Sequence, residues 1–283
     1  MQQQGEFAGK VVVVSGAASG ISRVVMTRFV EAGAKAAILD IDDEWGDETA
    51  KRLTDEGYEV AYYHTDVRDS AQVNSAIERT VERFGRVDIL VHGAGVGVHK
   101  EVVDLSDEEW DLQIDVQLRG AFLLSRAVAR QLIKQGEGGR LILLGSGSGN
   151  NARPKSGPHG ASKAAEIQLA KVMALELGKY GITSNVVSPG LTDISGISRS
   201  FQHPEYQQAH NAQVALGRLA QPDEIADAVL FFASDRARFI TGQMINIDGG
   251  YSAGKLVVQG PLELTDYEKE WHAADFERRR GES

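Results

Sequence analysis

Two stretches of this sequence combine residue types and spacing that bind a dinucleotide. The first is Ser15-Gly16-Ala17-Ala18-Ser19-Gly20-Ile21-Ser22, directly after the apolar run Val11-Val12-Val13-Val14. A strand, a glycine loop and a helix in that order turn backbone N–H groups and a helix N-terminus toward a phosphate, with no side chain in the way. A glycine pair also serves as a plain tight turn. Its place at the first strand-to-helix junction favours phosphate. The second is Asp40, which ends the next apolar run, Ala36 to Asp40, where an acid meets the adenosine ribose hydroxyls of a dinucleotide. It also reads as a solvated acid in Asp40-Ile41-Asp42-Asp43-Glu44. No Lys or Arg lies in Ile41 to Glu44, and a carboxylate repels a 2′-phosphate, so NAD is expected over NADP.

The elements that would hold these groups alternate along the chain. Further strands are expected at Val60 to Tyr63, Val87 to Val91, Leu141 to Leu144, Ile182 to Val187 and Gln243 to Ile247. Between them, Val73, Ile77, Val81 and Phe84 recur at helical spacing, and Pro158 to Lys179 reads as a long helix. Ser106-Asp107-Glu108-Glu109 predicts a capping box that opens a helix burying Trp110, Ile114, Leu118 and Phe122. Pro222, Asp223 and Glu224 start another helix. Continuous apolar strands separated by helices imply an α/β fold with a doubly wound, Rossmann-like parallel sheet. One domain over residues 1–253 is expected, with a polar insertion at about 191–216, which the resemblance described below makes a substrate lid, and a charged extension at 254–283.

Composition narrows the function. The 283 residues carry 30 Lys+Arg against 40 Asp+Glu, a net charge of −10, which argues against nucleic acid or an acidic membrane as partner. No apolar run reaches the roughly 18 residues of a spanning helix. Met1 to Glu6 lack the charged-then-apolar order of a signal peptide, and zero cysteines suit a reducing cytoplasm, the expected location.

On these residues the chain resembles the short-chain dehydrogenase/reductase family over about residues 7–252. The glycine loop is similar to the family's T-G-x-x-x-G-x-G, with Ser15 for Thr and Ser22 for the last Gly. Thr65-Asp66-Val67 resembles the segment that contacts adenine, Ser188-Pro189-Gly190 the stretch near the nicotinamide, and Ile240-Thr241-Gly242 with Asp248-Gly249-Gly250 the closing strand. The resemblance implies that Gly16, Ser19, Gly20, Ile21, Asp40, Asp66, Val67, Gly93, Ala94, Lys163, Pro189 and Gly190 bind the cofactor. It also implies a homotetramer or homodimer built on the helices at about 107–130 and 158–179, acting on a small-molecule substrate.

The active-site motifs depart from the family. Its N-N-A-G reads His92-Gly93-Ala94-Gly95, its helix Asn reads Gln117, and its Tyr-x-x-x-Lys reads His159-Gly160-Ala161-Ser162-Lys163. The substrate-orienting Ser is present as Ser146. The resemblance therefore implies hydride exchange between NAD and a secondary alcohol or ketone, with Ser146, His159, Lys163 and Gln117 as the catalytic set. An i, i+4 spacing puts His159 and Lys163 on one helix face, and imidazole titrates near neutral pH. The Lys163 ammonium disfavours imidazolium, so a neutral His159 is expected to accept an alcohol proton, which favours oxidation. Two other readings fit the same departures: a lyase, isomerase or dehalogenase without net redox, and a NAD-binding protein without turnover.

Smaller signals remain. Arg153 and Lys155 read as a solvated loop or as an attractor for an anionic substrate. Phe201, His203, Tyr206 and His210 fall in the lid; His203 and His210 with Glu205 fit no metal-ligand spacing, and no metal is expected. His64 and His99 read from the sequence as structural or exposed, whereas His92 ends a strand beside the expected nicotinamide. Tyr267, Trp271 and Ala274 form a helical stripe in the extension.

Overall fold

In the computed structural model, residues 5–194, 203–255, 278 and 280 are described. Seven strands form one sheet: β1 (Val11–Ser15), β2 (Lys35–Asp40), β3 (Val60–His64), β4 (Ile89–His92), β5 (Gly139–Leu144), β6 (Ile182–Pro189) and β7 (Met244–Ile247). Their order is β3-β2-β1-β4-β5-β6-β7 and every pairing is parallel. The expected doubly wound sheet is thus present. Its strand order reverses beside β1, between β2 and β4, and such a switch point opens a crevice at the carboxyl ends of the strands.

The runs of apolar residues in the strands follow from burial on both faces. Val12 and Val14 of β1 point into one core with Phe29, Leu53, Ile225 and Phe232, and Val13 points into the other with Val73, Ile77, Leu124 and Val128. The first core is closed by α1 (Gly20–Glu31), α2 (Asp43–Asp55) and the later α8 (Pro222–Ala233). The second is closed by α3 (Ser70–Phe84), α5 (Gly120–Gln135) and α6 (Gly157–Leu177). Gln221 and Glu224 cap α8 reciprocally, and Pro222 needs no amide partner at the helix start.

One expected packing is reversed. The capping box forms: Glu109 donates its N–H to Ser106 Oγ at 3.2 Å and accepts from the Ser106 N–H at 3.0 Å. It opens α4 (Asp107–Ile114), which continues through a π-helical turn at Asp115–Arg119 into α5. Trp110 and Phe122 are 39% and 43% exposed, and Ile114 and Leu118 are only half-buried, while Gln113 and Gln117 face inward. The physical reason lies in the loop after β4. The Val96 carbonyl accepts from Gln113 Nε2 at 2.7 Å and from Gln117 Nε2 at 3.2 Å, and these i, i+4 amides turn their shared face inward.

Part of the expected lid is α7 (Pro204–Asn211), while Phe201 and the rest of 195–202 lie outside the described residues. The stripe at Tyr267, Trp271 and Ala274 also lies outside them.

Candidate active site

A cleft of about 580 Å³ opens at the carboxyl ends of β1, β2, β4 and β5. It is lined by Gly16, Ser19, Gly20 and Ile21 from the glycine loop, Asp40 and Asp42 after β2, Asp66, Val67 and Arg68 after β3, and Gly93 and Ala94 after β4. Leu144, Gly145, Gln117, His159, Lys163 and Pro189 complete it. Three strand spacings separate Asp40 at the end of β2 from Leu144 at the end of β5, so the cleft has two distinct ends.

At the first end the main chain supplies most of the polar groups. Gly16 has φ +70°, and a Cβ there would fall 2.7 Å from the Ala94 Cα, so the β1 loop and the β4 loop approach as only glycine allows. Ser19 caps α1 without a side-chain hydrogen bond, which leaves first-turn N–H groups to face an anion. Asp40 braces the loop: its Oδ2 accepts from the Ala18 N–H at 3.0 Å, and its Oδ1 accepts from Ile41 and Asp42 at 2.8 and 3.2 Å. A carboxylate retains acceptor capacity beyond these bonds, which suits a ribose diol. Asp66 is engaged by the guanidinium of Arg68 at 2.6 to 3.0 Å, and this contact holds its carboxyl below the usual range. These residues fit the adenosine half of a dinucleotide.

At the second end, side chains hold one another. Gln117, buried in the π turn, donates from Nε2 to His159 Nδ1 at 3.1 Å, and its Oε1 accepts from the Ser162 hydroxyl. The bond from Nε2 to the Val96 carbonyl fixes which way the amide faces. His159 Nδ1 is therefore an acceptor, and in the neutral ring the proton sits on Nε2. Burial, with Lys163 and Arg153 adding repulsion, lowers the His159 pKa to about 4. The expected neutral imidazole follows, mainly from desolvation rather than from Lys163. The expected direction of proton transfer does not, because the ring nitrogen left to a substrate presents a hydrogen and not a lone pair.

Lys163 is buried and faces the cleft, yet its ammonium donates to the Leu144 carbonyl at 2.7 Å and to Glu166 Oε1 and Oε2 at 2.9 and 3.0 Å. Ser146 follows β5 and caps a short turn by accepting the Ser148 N–H at 3.2 Å; Leu144 and Gly145 line the cleft from this strand end. Pro189 lines the cleft, and Gly190 packs against the end of β7, where a Cβ would fall 2.7 Å from the Asp248 Cα.

Residues 16–252 match the family described as enoyl-(acyl carrier protein) reductase. An uncharacterized oxidoreductase of Thermotoga maritima is 39% identical over 252 residues, which cover 87% of this chain and 99% of that protein. The chain belongs to the short-chain dehydrogenase/reductase family. It is an oxidoreductase of that type, and the family binds a nicotinamide cofactor. The D-threitol dehydrogenase of Mycolicibacterium smegmatis is 34% identical over 86% of this chain and 93% of its own. A gluconate 5-dehydrogenase from Burkholderia cenocepacia, solved with NADP and tartrate, superimposes with TM-score 0.83 at 31% identity, over 87% of this chain and 96% of that one.

In this short-chain oxidoreductase His92 does not face the cleft. It is fully buried, its Nδ1 accepts from the Ser15 hydroxyl at 2.9 Å, and its Nε2 donates to the Gln117 carbonyl at 3.1 Å. Burial drives its pKa down to about 3, so the ring is neutral and ties β1 to the π turn. His64 lies on Asp43 at 2.9 Å. His210 stacks on Tyr251 with ring centres 5.1 Å apart, and Arg153 donates to the Tyr206 hydroxyl at 3.3 Å, joining the loop after β5 to α7. Among the described residues no group of three or more His, Asp or Glu is placed to hold a metal.

Sequence reasoning missed Ser162, Glu166 and Gln113. The signal was present in the spacing. His159, Ser162, Lys163 and Glu166 recur at i, i+3, i+4 and i+7, a polar stripe on the face of α6 that is otherwise buried.

Proposed function

We propose that this oxidoreductase passes hydride between NAD(H) and a secondary alcohol or its ketone, with His159 where the family has Tyr. The observation that carries this reading is the Gln117–His159 hydrogen bond in the same cleft as the glycine loop and Asp40. A bound nicotinamide would supply or accept the hydride. Gly16, Ser19, Gly20 and Ile21 would hold the pyrophosphate, Asp40 the adenosine ribose, Asp66 and Val67 the adenine, and Gly93, Ala94, Lys163, Pro189 and Gly190 the nicotinamide half. The acids Asp40 and Asp42 in the lining support NAD over NADP.

His159 Nε2–H would donate to the substrate oxygen and polarise a carbonyl, as a neutral imidazole does when it acts as an electrophile. Losing that proton outright would leave an imidazolate, so the alkoxide takes its proton from water. In reverse, the same contact steadies the alkoxide after water has taken its proton, so His159 serves either direction. Ser146 would supply the second hydrogen bond to the substrate oxygen, and Gln117 keeps the His159 ring in the donor tautomer.

We also propose residues 1–253 as the catalytic unit, with 191–216 over the substrate and 254–283 as an extension. A homotetramer or homodimer is supported by the outward Phe122 of α5 and Val172 and Leu175 of α6. Zero cysteines and the absence, among the described residues, of a helix long and apolar enough to cross a membrane support a cytoplasmic location.

The test is a screen of alcohols and ketones, read at the absorbance band of reduced nicotinamide, with NAD and NADP in parallel. His159→Ala should abolish the signal that the wild type gives with NAD. Substrate consumption without change in the band would point to a non-redox enzyme, and cofactor binding with no turnover to a NAD-binding protein.

A further inference from the structure

Glu166 stands outside every role given so far, yet it is fully buried one helical turn beyond Lys163. Its carboxylate takes two of the three ammonium hydrogens of Lys163, and the Leu144 carbonyl takes the third. A buried carboxylate is costly unless it is paired and hydrogen-bonded, and here both oxygens rest on a single ammonium. The other titratable groups around Lys163 are His92 and His159, both neutral because burial lowers them. Burial pushes the Glu166 carboxyl up, and the Lys163 ammonium on both of its oxygens opposes that shift, so an ion pair stands at this end of the cleft beside the uncharged His159 ring, with the uncharged His92 buried behind it.

We propose that Glu166 is a positioning residue that sets the balance between oxidised and reduced cofactor: by cancelling the Lys163 charge, it lets the cleft accept a cationic ring. The inference rests on the cofactor reading above. The oxidised nicotinamide ring carries a positive charge that the reduced ring lacks. An uncompensated Lys163 ammonium would repel the first and leave the second untouched. With Glu166 in place the repulsion is cancelled, which favours reduction of a ketone, the direction that leaves the oxidised form bound. The same carboxylate holds Lys163, so a ribose hydroxyl engages that ammonium only by displacing one of its present acceptors.

The experiment measures NAD+ and NADH dissociation constants at pH 7, by calorimetry or by quenching of intrinsic fluorescence, and compares their ratio between variants. Glu166→Gln and Glu166→Ser both remove the charge, and the serine leaves room for a water on Lys163 should the glutamine prevent folding. Glu166→Asp retains it. One charge altered beside the cleft, at an effective dielectric of about 20, shifts an equilibrium on the order of tenfold. The ratio Kd(NAD+)/Kd(NADH) should therefore rise on the order of tenfold in the Gln and Ser variants and stay near wild type in the Asp variant. A ratio unchanged in Gln and Ser, or altered equally in all three, overturns the proposal while the cofactor reading stands. A wild-type protein that binds neither nucleotide overturns both.

Discussion

At the Asp40 end of the cleft the working groups are mostly main-chain atoms, whereas at the His159 end they are side chains whose states depend on one another. Gly16 and the open first turn of α1 need only the backbone path, and Asp40 is fixed by three N–H groups from its own surroundings. His159 instead takes its tautomer from Gln117, whose direction is set by the Val96 carbonyl. An end made of backbone tolerates side-chain drift. An end made of linked side chains changes its chemistry with one substitution.

The largest expected effects separate the two ends. His159→Ala should lower kcat/KM by roughly a thousandfold, within the usual range for a lost proton-handling group, and leave NADH affinity within about twofold. Gly16→Val should do the reverse: NADH binding falls on the order of a hundredfold, equivalent to about 3 kcal/mol, because the added side chain meets the Ala94 backbone. Paired measurements of NADH affinity and turnover check both. Loss of NADH binding in His159→Ala would erase the contrast between the ends.

The difference in material also explains what was legible beforehand. The sheet, the glycine loop and Asp40 announce themselves locally, through apolar runs and a glycine spacing tied to one strand-to-helix turn. Gln117 was visible as a residue, but its hold on His159 depends on the π turn between α4 and α5, and no local pattern encodes that turn. The same two helices explain why the stripe of Trp110, Ile114, Leu118 and Phe122 reads as core in the sequence. Its apolar spacing is real, but a neighbouring face, about 100° around the helix, carries Gln113 and Gln117, and their buried hydrogen bonds decide which face turns inward. Glu166 went unread because a charged residue that ends a polar stripe, three positions after Lys163, resembles a solvated helix face until its burial is known.

Acid separates the ends next. His92 and His159 have folded pKa values of about 3 and about 4, below the unfolded value near 6.5. Between those limits the unfolded chain binds more protons, so stability is complete above about pH 6.5 and falls as pH drops toward 4, by about 1.4 kcal/mol per pH unit for each histidine. Asp66 at the other end is depressed by Arg68, so its contribution is lost only below the ordinary carboxylate range. Denaturant unfolding from pH 7 to pH 4.5 should show a wild-type slope steeper than that of His159→Ala by one histidine. An equal slope in both proteins would remove His159 from the buried, neutral state.

A smaller change sharpens the Asp40 end alone. Asp40→Asn keeps the acceptor for the Ala18 N–H but removes the charge that repels a 2′-phosphate. The NAD-over-NADP preference should fall by roughly tenfold, the size expected for one partly screened charge near a phosphate. Nucleotide titrations read it, and turnover with NAD at saturation should stay within about threefold.

The smallest effect tests whether the two ends are separable at all. Ser15 belongs to β1, at the glycine loop, but its hydroxyl donates to His92 Nδ1, and His92 Nε2 donates to the Gln117 carbonyl in the turn that carries the His159 partner. Ser15 Oγ also accepts from the Gly93 and Ala94 N–H groups at 3.2 and 3.4 Å. Ser15→Ala would leave the His92 Nδ1 lone pair without its donor, at a cost of about 1 kcal/mol or somewhat more. Ser15→Thr retains the hydroxyl and should restore the loss. If the ring only ties β1 to the π turn, Ser15→Ala lowers stability and leaves both NADH affinity and kcat/KM within about threefold. If kcat/KM falls while NADH affinity holds, Ser15 reaches the His159 end through a buried imidazole, and the boundary between backbone-built and side-chain-built halves moves to β1 itself.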